Sequence, residues 1–399
     1  MADLDASDPL GHTRPVRSSR PRALAVSLFV VLVAAGCASD APLDTMNPQG
    51  PESRAIDNLL NPVLLIAGLV FLFVELGIVF LVIRYRRHKD DVVGAEDEEF
   101  PEQTHGNLVL ELGWTILPAV ILAFVAVATL TTLFDLADEP ENALEIDVVG
   151  QQWWWEFQYD VDGDGEYDFR TANEMVIPAG EPVNLDITSR DVIHSFWIPA
   201  LNGKRDAVPG RHSPLTMEAD DPGSYWGQCT EFCGLSHANM HMRVIALPQD
   251  EYDAWLENQA RPAEAATGDA VAGEELFSSS CTSCHQVRGL NDDYTGAATV
   301  SGTAPELTHL MSRSTFAGSA FRLYAQADDA DVADIYTHLA EEGTFNRVQL
   351  EAWLRNPPGE LPMYADTATL NGALPRGMPN LQLGEEQIDQ LVAYLQTLD

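Results

Sequence analysis

Two cysteines, a histidine and a methionine lie within a dozen residues of one another in the segment GQCTEFCGLSHANMH. Cys229 and Cys233 are four apart, and His237 and Met240 follow at intervals of four and three. Soft sulfur ligands combined with imidazole select copper. A mononuclear blue copper site needs only one cysteine, so two thiolates favour a pair of copper ions. The second imidazole is then expected from a distant strand end, and His194 in DVIHSFWIPAL is the candidate.

A second cluster of ligating residues follows in LFSSSCTSCHQVRG. Cys281, Cys284 and His285 form a Cys-x-x-Cys-His motif, in which two thiols add across the haem vinyl groups and the adjacent imidazole becomes the proximal iron ligand. Structural zinc is the main alternative, but it needs a second pair of ligands, and no cysteine remains to supply one. The sixth haem ligand is usually methionine, and Met378 and Met363 compete for that position.

The elements that must position the first cluster are strands. Residues 144–247 alternate short apolar runs with Gly, Pro, Asp and Asn, a pattern that predicts an antiparallel β-sandwich. The segment DVDGDG at 160–165 begins like a calcium loop, but Thr171 stands where the bidentate glutamate should be, so a hairpin turn is the better interpretation. The second cluster lies in a predicted helical domain, residues 270–399, after a linker at 258–269 that is rich in Ala, Glu and Pro.

The N-terminal third predicts attachment to a membrane. Residues 1–36 combine arginines, a short apolar run and small residues before Cys37, the order of a secretory signal that ends in a lipoprotein lipobox; an uncleaved anchor with an incidental cysteine is the alternative. Two later apolar stretches, 59–83 and 108–134, are each long enough to span a bilayer. The basic cluster between Arg84 and Lys89 marks the cytoplasmic side, so both ends of this hairpin, and all that follows it, face the periplasm or exterior of a bacterial plasma membrane.

The predicted fold class is a multidomain membrane protein. A signal peptide at 1–36 precedes a transmembrane hairpin at 55–137, a β-sandwich domain at 138–257, the linker at 258–269 and an all-α domain at 270–399. The formal charge of -39, from 61 acidic and 22 basic residues, argues against nucleic acid as a partner, because phosphate binding needs a basic surface. The acidic surface of this chain either favours a cationic protein partner or serves only to keep the protein solvated.

Residues 55–250 resemble subunit II of the haem-copper cytochrome c oxidases, which has a transmembrane hairpin and a cupredoxin domain with a dinuclear CuA centre. The resemblance rests on CTEFCGLSHANM, with its Cys-x-Glu-x-Cys-x-x-x-His-x-x-Met pattern, and on HSFWIPALNGKRDAVPGR. It implies two bridging cysteines, one histidine on each copper, a methionine on one copper and the backbone carbonyl of a glutamate on the other. These residues are His194, Cys229, Glu231, Cys233, His237 and Met240.

The same resemblance implies three further roles. In the family the side chain at Glu231 lies near a magnesium ion shared with subunit I. Trp153, in QQWWWEF, takes the place of the exposed tryptophan through which electrons enter from cytochrome c; the alternative is that all three tryptophans pack in the sheet. Glu111, in ELGWTILPA, takes the position of a glutamate at the mouth of a proton channel.

Residues 270–399 resemble class I cytochromes c. APELTHLMSR and LEAWLRNPP fit that family, and RGMPNLQLGEEQIDQLVAYLQTL resembles its end, where the axial methionine precedes a proline and a closing amphipathic helix. The resemblance implies that Met378, rather than Met363, is the sixth haem ligand. Met311 is expected to pack in the core.

Together the two resemblances imply an electron carrier. Electrons would pass from a soluble cytochrome c or a bc-type complex to the haem, to CuA and to haem a in subunit I, where dioxygen is reduced to water and protons are pumped. Subunit III is a further expected partner. A quinol oxidase subunit would lack the copper ligands, and nitrous-oxide reductase has a propeller domain. A tethered electron-transfer or copper-delivery protein outside an oxidase is the remaining alternative.

Overall fold

The computed structural model describes residues 29, 41–86, 105–141, 143–291, 304–325, 344–363 and 376–399. Cys37 and the predicted signal peptide, apart from residue 29, lie outside these residues, as do Arg87 and Lys89 of the basic cluster. Residues 43–399 form one unit.

Two long apolar helices begin this unit. Helix α1 spans Pro51–Tyr85 and helix α2 spans Leu108–Asp135. Each contains one of the predicted spans and is long and apolar enough to cross a membrane. The side chain of Asn107 caps α2 by accepting hydrogen bonds from the N–H groups of Val109 and Leu110. Both helices expose most of their large apolar side chains, as expected of helices that are solvated by lipid.

Ten strands build the domain that follows. They are β1 (Leu144–Gln151), β2 (Trp154–Asp160), β3 (Phe169–Ala172), β4 (Glu174–Pro178), β5 (Val183–Ser189), β6 (His194–Phe196), β7 (Arg205–Ala207), β8 (Ser213–Met217), β9 (Gly223–Gln228) and β10 (His241–Leu247). One sheet has the order β3-β2-β1-β5-β8, a second has the order β4-β10-β9, and β6 pairs with β7.

These sheets confirm the predicted sandwich. Most neighbouring strands are antiparallel, but β1 and β5 run parallel, and so do β4 and β10. In each parallel pair, the chain between the two strands contributes one or more strands to the other sheet before it returns. Such a crossover can connect parallel neighbours, whereas a tight hairpin can connect only antiparallel ones. Trp155, Phe157 and Phe196 are fully buried and pack edge to face in the core, with ring centroids 5.4 and 6.3 Å apart.

The DVDGDG segment forms a turn, as predicted. It joins the antiparallel strands β2 and β3. Gly163 and Gly165 have positive φ angles of 72° and 88°, a conformation that glycine adopts without steric cost. The carboxylate of Asp160 accepts hydrogen bonds from the N–H groups of both glycines, which fixes the turn.

Helices carry the second cluster of cysteines. Helix α3 (Gln249–Ala260) precedes them and packs on the sandwich through Trp255. The helices around the cluster are α4 (Val271–Ser280), α5 (Arg347–Arg355), α6 (Pro357–Glu360) and α7 (Glu385–Leu395), accompanied by the short strands β11 (Thr315–Phe316) and β12 (Phe321–Arg322). Helices α4 and α7 cross closely at Gly273. Any Cβ at this position would overlap the carbonyl oxygen of Gln390, so the crossing requires glycine. Phe277 of α4 packs on Tyr394 of α7 with 5.3 Å between ring centroids. This crossing fixes the end of α4, from which the Cys-x-x-Cys-His motif continues.

The helical domain lies directly against the β-sandwich. The Ser236 hydroxyl donates to the carbonyl oxygen of Pro362 at 2.5 Å, and the Arg170 guanidinium donates to the side-chain oxygen of Gln286 at 2.7 Å. Three of these four residues are sequence neighbours of candidate ligands. The contact therefore brings both clusters of ligating residues to the same interface.

Candidate functional site

The copper candidates converge at one end of the sandwich. Strand β6 begins at His194, and the other candidates lie in the loop that joins β9 to β10. Two backbone hydrogen bonds fold this loop into place: the N–H of Cys229 donates to Met240 O at 2.9 Å, and the N–H of Thr230 donates to Ser195 O at 3.0 Å. The first bond closes the loop on itself, and the second attaches it to the strand that carries His194.

The donor atoms of this group lie within a few ångströms of one another. The two cysteine Sγ atoms are 3.8 Å apart. Nδ1 of His194 lies 3.9 Å from Cys229 Sγ, and Nδ1 of His237 lies 3.5 Å from Cys233 Sγ. The Met240 Sδ atom is 3.8 Å from Cys233 Sγ. Two thiols, two imidazoles and a thioether around one space form a donor set that suits copper.

Glu231 joins this set through its main chain. Its carbonyl oxygen lies 3.3 Å from Cys229 Sγ, whereas its side chain is exposed. The sulfur and imidazole candidates are less exposed to solvent than the Glu231 side chain. The buried ones are His194, Cys229, Cys233 and Met240, and His237 is half-buried. The ligand space is therefore closed toward the core and reaches the surface on the side of His237.

Asp191 is a candidate site residue that the sequence reasoning missed. Its carboxylate lies 2.9 Å from Nε2 of His194 and accepts a hydrogen bond of 2.8 Å from the N–H of Gln152. Burial lowers the pKa of His194, but the hydrogen bonds to Asp191 and Cys229 outweigh that effect and raise the pKa overall. Because Asp191 holds Nε2, Nδ1 of His194 points at the thiols, as an outer carboxylate arranges a metal-binding imidazole. The spacing of three residues in DVIH was the available signal.

The two thiols affect each other's ionisation. The hydrogen bond with the Cys233 thiol is the main cause that lowers the pKa of Cys229. The pKa of Cys233 is raised, because its proton is held by Cys229 and a second thiolate would lie 3.8 Å from the first. A cation between the two sulfur atoms would allow both to be thiolates, as bridging ligation requires.

The haem candidates line a cavity of about 330 Å³ between the two domains. Cys281, Cys284 and His285 contribute to its wall directly after α4. Nδ1 of His285 lies 2.8 Å from the carbonyl oxygen of Pro305, to which it can donate, and this hydrogen bond leaves Nε2 as the ligating nitrogen. Burial lowers the pKa of His285 and so favours the neutral imidazole that binds iron.

Both methionine candidates for the sixth haem position reach this cavity. Met378 and Met363 are half-buried and contribute to its lining. Gly377 has a φ of +91°, and a Cβ there would lie 2.6 Å from the sulfur of Met363, so the two segments pack tightly. The structure thus brings both methionines to the lining of the same cavity. Met311 is buried, as expected.

Trp153 lies between the two groups of ligating residues. The resemblance implied an exposed tryptophan, but the side chain is 8% exposed and borders a cavity whose other wall is formed by the helical domain. Trp153 lines the haem cavity, and its indole N–H donates to the carbonyl oxygen of Cys233 at 3.1 Å. One aromatic side chain therefore borders the cavity and is hydrogen-bonded to a copper-ligand candidate.

Glu111 lies in the first turn of α2, exposed and beside Gly106. Its implied place at a proton channel involves a second chain, as does the implied magnesium ion near the Glu231 side chain. For both residues the role stays a prediction.

Comparisons with known proteins agree with this geometry. The family model of the cytochrome c oxidase subunit II transmembrane domain matches residues 43–132, that of the subunit II periplasmic domain matches residues 165–247, and that of cytochrome c matches residues 270–399. Cytochrome c oxidase subunit 2 of Alkalihalophilus pseudofirmus is 34% identical over 385 residues, which are 93% of this chain and 95% of that protein.

Two further relatives match less of the chain. Cytochrome c oxidase subunit 2 of a Bacillus species, strain PS3, is 32% identical over 79% of this chain and 80% of its own length. Quinol oxidase subunit 2 of Bacillus anthracis is 31% identical over 63% of this chain and 87% of its own length. The match over nearly the full length of an oxidase subunit, the three domain models and the two sites lead to one conclusion. This chain belongs to the cytochrome c oxidase subunit II family and carries a C-terminal cytochrome c domain.

Proposed function

We propose that this chain is the electron-entry subunit of a bacterial respiratory oxidase. The chain takes electrons from an external donor at haem c and passes them through CuA to haem a of subunit I. In subunit I, dioxygen reduction is coupled to proton pumping. Membership of the family implies the CuA centre, the haem c and subunit I as a partner. The observation that carries the proposed connection between haem and copper is the position of Trp153, which borders the haem cavity and is hydrogen-bonded to Cys233.

The donor set fits a dinuclear copper centre. Cys229 and Cys233 would bridge the two ions, and His194 and His237 would bind one each. Met240 and the Glu231 carbonyl would complete the two coordination shells. This centre supplies a one-electron carrier. The protein's own contribution is to hold the ligands in place, through the β9–β10 loop hydrogen bonds and through the carboxylate of Asp191 on His194.

The residues that line the cavity between the domains fit a covalently attached haem. Cys281 and Cys284 would form the thioether bonds, and His285 and Met378 would be the axial ligands. The support is the position of all four at one cavity and the hydrogen bond that orients His285 toward it. A haem that stays with the polypeptide under denaturing conditions would establish the covalent bonds.

The cover over Trp153 determines where an external donor can deliver its electron. In this chain the cytochrome c domain occupies the approach to Trp153, so the donor is expected to reduce the haem and not the copper centre. A soluble cytochrome c and a bc-type complex both satisfy this expectation. The acidic surface favours a donor with a basic face.

The remaining assignments complete the proposal. Residues 1–36 would be removed and Cys37 would become the lipid-modified first residue. Glu231 would contribute to a magnesium site with subunit I, Glu111 would lie at a proton-channel mouth, and subunit III would join the complex. The hairpin would span residues 55–137, the copper domain 138–257 and the cytochrome c domain 270–399.

A stopped-flow experiment on the assembled oxidase tests the proposed order. Anaerobic mixing with a reduced basic cytochrome c is expected to reduce haem c first and CuA second, followed by haem a. Reduction of CuA ahead of haem c would contradict the order. Purified chain that binds both cofactors but never copurifies with a dioxygen-reducing subunit would favour a tethered electron-transfer or copper-delivery protein instead.

Substitution of the two methionines identifies the sixth haem ligand. Met378→Ala is expected to abolish the methionine-to-iron charge-transfer band and to lower the haem potential, because the neutral thioether favours ferrous iron. Met363→Ala is the matched control, since it removes the same side chain from the same cavity wall. Loss of the band in Met363→Ala, with the band retained in Met378→Ala, would reverse the assignment.

A further inference from the structure

A buried glutamate of the copper domain binds the cytochrome c domain. Glu174 begins strand β4 and is 2% exposed. Its carboxylate accepts hydrogen bonds from the N–H of Ser314 at 3.0 Å, from the Ser314 hydroxyl at 2.6 Å and from the Thr315 hydroxyl at 2.6 Å. Hydrogen bonds to a buried carboxylate are among the stronger ones in proteins. One side chain therefore fixes two consecutive residues of the other domain.

The neighbouring strand supports the same contact. Arg243 of β10 is the register partner of Glu174 and donates to the Ser314 hydroxyl at 2.6 Å. Its guanidinium also lies over the Trp226 ring, 4.5 Å from the centroid. The Ser314 hydroxyl thus accepts a hydrogen bond from Arg243 while it donates one to Glu174. Ser314 and Thr315 are themselves 0% and 1% exposed, so water does not compete for these bonds.

The segment that Glu174 holds also forms the cavity wall beside Trp153. Residues 315–318 line the haem cavity. The carbonyl oxygen of Gly318 accepts a hydrogen bond of 2.9 Å from the N–H of His241, and a Cβ on Gly318 would lie 2.7 Å from Trp153 O. The backbone of the cytochrome c domain thus packs against Trp153 three residues after Thr315.

Overall charge opposes this contact. Residues 144–257 contain 21 acidic and six basic residues, and residues 270–399 contain 18 acidic residues, six arginines and no lysine. Two acidic domains repel each other, most strongly at low ionic strength. General electrostatic attraction cannot hold them together, so the contact depends on specific bonds such as those of Glu174.

We propose that Glu174 is a positioning residue for electron transfer: it holds the cytochrome c domain so that the haem cavity stays against Trp153. This inference rests on the proposed function. Electron transfer between the two sites is then an event within one fixed arrangement, independent of ionic strength. Without the anchor, the domain would sample separated positions, and repulsion would make those positions more populated as salt is lowered.

The test uses the assembled oxidase with Glu174→Ala and Glu174→Gln, and with Glu181→Gln as the matched control, since Glu181 is an exposed glutamate of the same domain. The measured quantity is the rate of haem-to-CuA transfer at low and high salt. Glu174→Ala is expected to lower the haem-to-CuA transfer rate by about tenfold or more. In this variant the rate is expected to rise as salt is added. Glu174→Gln, which keeps one acceptor oxygen, is expected to fall between Glu174→Ala and the unchanged chain.

Three readouts separate the possible outcomes. Copper content, the mixed-valence copper signal and the rate of donor-to-haem reduction are expected to stay unchanged in the variants. A salt-independent rate equal to that of the unchanged chain, in an intact Glu174→Ala protein, would overturn the inference. If that variant does not fold, Ser314→Ala with Thr315→Val removes the two hydroxyl hydrogen bonds to Glu174 from the other domain, leaves the bond from the Ser314 N–H, and decides the question. Absence of haem-to-CuA transfer in the unchanged chain would instead refute the proposed function.

Discussion

Cys233→Ser is expected to abolish the dinuclear copper signal and to reduce oxygen consumption by more than about 100-fold. Changes in the outer shell of a metal site already cost about 10- to 100-fold, and Cys233 lies within 3.8 Å of three other donor atoms: the sulfur atoms of Cys229 and Met240 and Nδ1 of His237. A serine oxygen is a harder and more weakly ionised ligand than a thiolate, so it does not replace the bridge. Copper content and electron paramagnetic resonance of the purified complex measure the result.

The haem provides an internal reference for this experiment. Cys281, Cys284 and His285 are untouched, so the haem spectrum is expected to remain and the haem is expected to stay reduced during turnover. Thr230→Ser, a mild change in the same loop, is the matched control. A full mixed-valence signal in Cys233→Ser would show that Cys233 does not bridge two copper ions.

Trp153→Leu is expected to slow haem-to-CuA electron transfer by about 100-fold, while both cofactors stay bound. The substitution removes the aromatic ring from the wall between the sites and also its hydrogen bond to Cys233, and misplacement by about 1 Å can cost that much in rate. Flash-induced or stopped-flow measurement of the internal transfer step separates this effect from donor binding.

The control for this variant must be a substitution that lowers the stability of the domain by a similar amount but lies far from both ligand sites. Trp255 of α3 is 6% exposed and packs on Tyr159 and Phe169, with ring centroids 5.4 and 5.5 Å away. Trp255→Leu therefore opens a comparable void in the sandwich core and is expected to leave the internal transfer rate near that of the unchanged chain. Equal slowing in both variants would indicate general destabilisation, and no slowing in Trp153→Leu would exclude the tryptophan from the path.

The candidate ligand sets could be proposed from the sequence because most of their members lie in short segments. Cys229, Cys233, His237 and Met240 share one loop, and its chemistry restricts the possible metals without any knowledge of the fold. His194 required one further step, the expectation of a strand end near that loop, and the structure brings it within 3.9 Å of Cys229. The haem motif needed only local spacing.

Features that depend on contacts between segments far apart in sequence could not be predicted from local residue spacing. The parallel pairing of β1 with β5 follows from crossovers between the sheets, which alternating apolar patterns do not encode. The cavity that Trp153 borders is completed by the cytochrome c domain, which lies more than a hundred residues later in the chain. Glu174 is a single glutamate in a strand, and nothing about its neighbours in sequence indicates that its partners are Ser314 and Thr315.

The cover over Trp153 also changes the kinetic order of electron entry to copper. Separate proteins must meet by diffusion, and the rate then rises with the concentration of the donor. A donor linked within the same chain has an effective concentration that does not depend on expression level or on dilution in the periplasm. On the proposed function, the copper centre of this chain therefore has one permanent electron donor, the haem of the same chain. Recognition of external donors can change on the outer face of the cytochrome c domain while the contact around Trp153 stays the same.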